Sequence, residues 1–133
     1  MRVGDEVVGE IGPGLCVLLG VSRDDTAAEA DRIAGKLWGL RLMDDAGGVM
    51  NLSVADTTGE LLVVSQFTLY GDTSRGRRPS WIRAAPPEDA EPLVTAVVER
   101  LREHGATVAT GRFRADMQVE LVNDGPATVL VEI

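Results

Sequence analysis

The sequence has a single cysteine, Cys16, and a single histidine, His104. One thiol closes no internal disulfide, and its place in the apolar run "LCVLLGV" is that of a small buried hydrophobe. A Ser-His-Asp triad needs its histidine beside the nucleophile. His104 lies instead in "LREHGAT", where a helix should end and a histidine complements the helix dipole. One His and one Cys furnish no zinc cluster, and the scattered carboxylates lack the spacing of a calcium loop. Any chemistry must therefore proceed without a histidine base, a tightly held metal or a cofactor. No apolar run approaches the roughly 18 residues of a membrane span, and "MRVGDEVVGE" puts acids where a signal peptide would be apolar. The expectation is a cytoplasmic protein with no membrane partner. Positive charge is scarce too: 13 Lys and Arg against 21 Asp and Glu give a net charge of −8. That balance argues against DNA and against broad, nonspecific nucleic-acid binding, so any such contact must be local.

What is present suits one domain: 133 residues, 44% hydrophobic and 26% charged, enough to bury a core without staples. "EVVGEI" and "LCVLLGV", separated by Gly12-Pro13-Gly14, read as a hairpin. "DDTAAEADRIAGKLWGLRL" opens with cap candidates and spaces Ala30, Ile33, Leu37 and Trp38 as a helix does. "MDDAGGVMNLSV" reads as a turn leading to a short strand or irregular piece over 49–54. "ELLVVSQF" is apolar on consecutive residues, the pattern of a central strand covered on both faces. A long Gly- and Arg-rich loop follows. From Pro87 to His104 the residues Leu93, Val94, Val97, Val98 and Leu101 share one helical face, with Gly105 as the stop. Pro92 either marks the start of that helix or distorts its first turn. "ATVATGRF", "MQVELVN" and "ATVLVEI" read as three closing strands.

Three places carry chemistry. Ser65-Gln66-Phe67-Thr68 stand where a buried strand meets a loop. Such a strand end either satisfies its own backbone through side chains or presents oxyanion donors or a Thr nucleophile to a pocket. Between Tyr70 and Ala84, four arginines (Arg75, Arg77, Arg78 and Arg83) meet one acid, Asp72, a local balance of +3. Arginine's fork suits phosphate, and a solvated loop explains the same letters. Gly125-Pro126, in "VNDGPATVL", is a turn whose proline isomer the sequence leaves open.

Together, "SQFTL" and "NDGPAT" resemble the two signature motifs of the D-aminoacyl-tRNA deacylases. "GEIGPGLCVLLGV", "MNLSV", "RRPSW" and "TGRFRADMQVELVNDGP" are similar to the same family in the same order, from Gly4 onward. The resemblance implies a compact single α/β domain with mixed sheets and two helices packed on one side. It implies a proofreading hydrolase that cleaves the ester of D-aminoacyl-tRNA, and of glycine mischarged on tRNA. It also implies a homodimer in which Gly125-Pro126, with a cis peptide, enters the partner's pocket and excludes the L isomer. Ser65, Gln66, Phe67 and Thr68 would line the pocket for the aminoacyl-adenosine, and Arg75, Arg77 and Arg78 would meet acceptor-end phosphates. Either Thr68 is the nucleophile, or backbone N–H groups around Phe67 and Thr68 hold the oxyanion while the adenosine 2′-hydroxyl assists water. The second is the reading adopted, because Thr68 has no histidine to activate it.

Two departures stand out. Family members usually carry a first strand with a Gln-Arg-Val stretch, whereas here Met1-Arg2-Val3 runs directly into Gly4-Asp5-Glu6. Loss of that strand would bare a sheet edge and remove an arginine from near the Gly-Pro. Ala127 stands where the family more often has valine. A noncatalytic module that binds the tRNA acceptor end, and a small Thr- or Ser-dependent esterase, are the rival readings.

Overall fold

A run of consecutive apolar residues such as "ELLVVS" is stable as a strand only if both its faces are covered. The computed structural model, which describes residues 1–133, covers both. The elements in chain order are β1 (Arg2–Val3), β2 (Glu6–Val7), β3 (Gly14–Leu19), α1 (Ala27–Gly39), β4 (Met43–Asp44), β5 (Met50–Leu52), β6 (Glu60–Ser65), a 3-10 turn (Phe67–Tyr70), α2 (Pro87–His104) and β7 (Val108–Thr110). Strands β3, β6 and β7 form one sheet in the order β3-β6-β7, and both pairings are parallel. Each parallel step crosses over through a helix, α1 for the first and α2 for the second.

Alternation along β6 divides the core. Leu61 and Val63 point to the helices and pack with Ala34 and Leu37 of α1 and Val97, Val98 and Leu101 of α2. Leu62 and Val64 point the other way, against Met1, Val8, Ile11, Met117 and Val119. Both helices thus lie on one side, as expected, and β6 is the central strand.

Thr26 caps α1: its Oγ1 accepts from Ala28 N–H at 3.3 Å, while Glu29 Oε2 accepts from Thr26 N–H at 2.7 Å. Helix α2 begins at Pro87, with Glu88 and Asp89 in its first turn, and ends at Gly105 in the left-handed region. Pro92 lies inside it. The proline removes one hydrogen bond, which burial of Ala90, Val97, Val98 and Leu101 along the same helix offsets. No helix is long and apolar enough to cross a membrane.

Three expectations are corrected. The hairpin of "EVVGEI" with "LCVLLGV" does not form; β3 pairs in parallel with β6, and the hairpin is the small one between β1 and β2. Gly14 explains the choice, since a Cβ there would lie 1.8 Å from the Glu60 carbonyl oxygen and so prevent β3 from closing on β6. Cys16 is exposed rather than buried. It pairs with Leu62 on the face away from the helices, at the sheet edge.

The closing strands shrink to Val108–Thr110 and one bridge between Arg2 and Gln118. Residues 119–133 make no backbone–backbone hydrogen bond. Beyond Val119 most of their apolar side chains stay in solvent: Val122 is 90% and Leu130 76% exposed.

Candidate functional site

Ser65 is the last residue of β6, paired with Leu19 of β3. Gln66 N–H donates to the Leu19 carbonyl at 2.8 Å and holds the strand end against its neighbour. The chain then winds into the 3-10 turn, where Leu69 N–H donates to the Gln66 carbonyl at 3.2 Å and Gly71 N–H to that of Thr68 at 3.0 Å. Phe67 and Thr68 are the first residues of that turn, so their N–H groups have no acceptor within it. Two such donors side by side can hold a developing oxyanion.

A cavity of about 240 Å³ opens at this strand end. Ser65, Gln66 and Phe67 line one side, the start of α2 another, and Phe113, Arg114 and Met117 the third. Arg114 is the only charged residue in that lining, and no carboxylate, histidine, cysteine or tyrosine is present to act as a base. Thr68 does not line the cavity, and its Oγ1 accepts a hydrogen bond from the Gln66 side-chain amide. Phe67 is 55% exposed and meets Trp81 edge-on, with ring centroids 5.3 Å apart.

The arginine loop is pinned at its base. Asp72 and Ser80 exchange two backbone hydrogen bonds of 2.8 Å, and Asp72 Oδ1 accepts from Ser74 N–H at 2.9 Å. Hydrogen bonds from Ser74 hold the Asp72 carboxyl below its ordinary range. Arg75, Arg77 and Arg78 are exposed, make no hydrogen bond or salt bridge, and line neither this cavity nor the larger one beside β3. Arg83 is held instead over the Tyr70 ring, 5.6 Å from its centroid.

The Gly125-Pro126 peptide is cis. Asn123 straps the loop: its Oδ1 accepts from Ala127 N–H and its Nδ2 donates to Thr128 Oγ1, each at 2.9 Å. Gly125 has φ 146°, a conformation that a side chain would oppose. It lines the larger cavity, of about 1430 Å³, which spans β3 and the C-terminal segment. Within one chain, then, the structure groups Ser65, Gln66 and Phe67 but leaves Gly125-Pro126 and the loop arginines elsewhere.

Phe113, Arg114 and Met117 escaped sequence reasoning as site residues. Their segment has no periodicity of its own, and only its unusual Arg-Phe-Arg run set it apart. Arg114 is also the only non-glycine residue with positive φ, at 66°.

A family model described as D-Tyr-tRNA(Tyr) deacylase matches residues 1–132. Among curated proteins, the D-aminoacyl-tRNA deacylase of Symbiobacterium thermophilum is 60% identical over 132 residues, which is 99% of this chain and 87% of that protein. The D-aminoacyl-tRNA deacylase of Cronobacter sakazakii is 55% identical over 133 residues, 100% of this chain and 92% of that protein. Among solved structures, one titled c-Myc DNA Unwinding Element Binding Protein superposes with a TM-score of 0.93 at 39% identity, covering 99% of this chain and 90% of that one.

Proposed function

The chain belongs to the D-aminoacyl-tRNA deacylase family, and from that premise we propose that it hydrolyses the ester between a D-amino acid, or mischarged glycine, and the terminal adenosine of tRNA. The observation that carries the reading is the cavity at the end of β6. It presents Ser65, Gln66 and Phe67, the last at the head of a turn whose first N–H groups have no acceptor within it, and it holds no side-chain base. An aminoacyl ester is already reactive, so orientation and an oxyanion site suffice for water to attack the carbonyl carbon. The adenosine 2′-hydroxyl assists that water. As the acyl carbon gains the hydroxyl, its bond to the ribose oxygen breaks, and that oxygen takes the proton. Thr68 is not the nucleophile in this scheme, a reading supported by its bond to Gln66 and its lack of a base.

Selection against L esters belongs to Gly125-Pro126 of a second copy, whose carbonyls fill the space an L side chain needs. Two observations support a homodimer. Gly125 does not reach the Ser65 cavity of its own chain, and residues 119–133 leave every backbone donor and acceptor without a backbone partner beside exposed Leu121, Val122, Val129 and Leu130. Arg75, Arg77 and Arg78 meet phosphates of the acceptor end, in the cytoplasm where charged tRNA circulates. The DNA element named in the solved neighbour's title is no part of this reading, because a net charge of −8 does not suit a duplex.

The deciding measurement is the hydrolysis rate of matched D- and L-tyrosyl-tRNA by the purified protein. Rapid loss of the D ester alone is the expected result. Binding without turnover would replace this reading with that of a noncatalytic acceptor-end module, and hydrolysis of small activated esters without tRNA would replace it with that of a simple esterase.

A further inference from the structure

We propose that Arg114 is a substrate-positioning residue that grips the phosphodiester preceding the terminal nucleoside while the ester lies in the cavity at the end of β6. The proposal rests on the deacylase reading of that cavity. Eight of the twelve arginines are tied within the chain to a carboxylate, a carbonyl, an amide or an aromatic ring. Four make no such bond: Arg75, Arg77 and Arg78 on the loop, and Arg114. Of these four, Arg114 alone lines the cavity at the end of β6, and it does so opposite Ser65, Gln66 and Phe67.

Its backbone adds a second, independent observation. Ala115 N–H donates to the Arg112 carbonyl at 3.1 Å and closes a turn in which Arg114 takes the third position with φ 66°. Turn chemistry favours Gly or Asn there, because other side chains oppose a left-handed backbone. The sequence thus keeps a long cationic side chain where a glycine would sit without strain. The adjacent Arg112 is paired with Glu6 Oε2 at 3.3 Å, so the charge next door is already spent. No carboxylate lines the cavity to compete for Arg114.

The chemistry of the substrate narrows the partner. At an aminoacylated tRNA end the amino group is cationic, and the ester and bases are neutral. Phosphodiesters are its only anions. A guanidinium fork in the cavity lining matches two phosphate oxygens at once.

The test compares wild type, Arg114→Gly and Arg114→Lys in steady-state deacylation of D-tyrosyl-tRNA across a salt series, with thermal melting of each. Glycine accepts the turn, so Arg114→Gly should melt no lower than wild type. Its KM should rise about 5- to 10-fold at low salt with kcat little changed, and the slope of log kcat/KM against log salt should shrink by about 0.7, one phosphate contact to a single strand. Arg114→Lys should recover part of the KM. An unchanged KM and salt slope in Arg114→Gly, or a loss confined to kcat, would overturn the assignment while wild-type turnover leaves the deacylase reading standing. A wild type that does not cleave the ester would take both down together.

Discussion

Strand β6 and residues 119–133 are both apolar, yet they end in opposite conditions. Leu61 in β6 is 0% exposed and its strand is hydrogen-bonded on both edges, to β3 and to β7. Residues 119–133 have no backbone partner, and Leu130 there is 76% exposed. The first region is completed by its own chain. The second has the sequence of a strand without an edge to join, and strand formation depends on the edge as much as on the residues. The cavity at the end of β6 belongs to the complete region, and Gly125-Pro126 belongs to the incomplete one. In the proposed homodimer a second copy brings the two together.

The sharpest way to break this contrast is to damage both sides. Leu61→Ala removes a fully buried side chain facing both helices and should cost about 2–5 kcal/mol, seen as a large fall in melting temperature. Leu130→Asp should leave the isolated chain folded, within about 0.5 kcal/mol for an exposed site. It should instead abolish association in sedimentation experiments. A Leu130→Asp protein that unfolds like Leu61→Ala, or still dimerises fully, would erase the distinction.

Gly125→Ala tests the functional half of the contrast. A Cβ at φ 146° strains the loop and would lie 3.0 Å from Ala127 N, so the carbonyls of the Gly-Pro should shift. The expected result is a loss of D-over-L discrimination of about tenfold or more, since about 1.4 kcal/mol of differential contact sets each decade. Thr68→Ala, on the self-contained side, should keep activity within about tenfold while Gln66 loses a hydrogen-bond partner. Collapse to background with an intact fold would restore Thr68 as nucleophile.

The same contrast explains what the sequence made legible. Periodicity and caps located α1 and α2 because their signals are local: Thr26 with Glu29, Pro87 with Gly105. Consecutive apolar residues marked β6 as central for the same reason. Gly12-Pro13-Gly14 announced a bend but not the strand beyond it, and the choice of β6 as partner was made by close approach at Gly14. Cys16 looked buried because its neighbours are apolar, yet the edge position of β3 decided its exposure. At the candidate site, Ser65, Gln66 and Phe67, adjacent in the sequence, line one side of the cavity. Phe113, Arg114 and Met117 arrive across the fold, through contacts that no short window contains.

Neutralising Arg77 and Arg78 together should raise the KM for tRNA and reduce the salt slope by about 1.4 if both meet phosphate, at about 0.7 each. Melting temperature should not move, because neither side chain bonds to the fold. An unchanged slope would detach the loop from the substrate and leave Arg114 as the lone free cation at the site.

The smallest expected effect concerns α1, deep in the self-contained half. Hydrogen bonds from Thr26, its hydroxyl first, hold the Glu29 carboxyl below its ordinary value of 4.5. A carboxyl depressed in the folded state binds its proton less readily there than in the unfolded chain. Its stabilising contribution is therefore fully present above about pH 4.5 and is lost as the pH falls through the lower folded value. Glu29→Gln should flatten that part of the acid-side decline in melting temperature and lower it slightly near neutral pH. Because the groups that depress the Glu29 carboxyl all belong to α1 and its cap, association between copies should follow the same pH profile in both proteins. A profile that changed with Glu29→Gln would mean the two regions are coupled through α1, and the open segment would then depend on the core that folds without it.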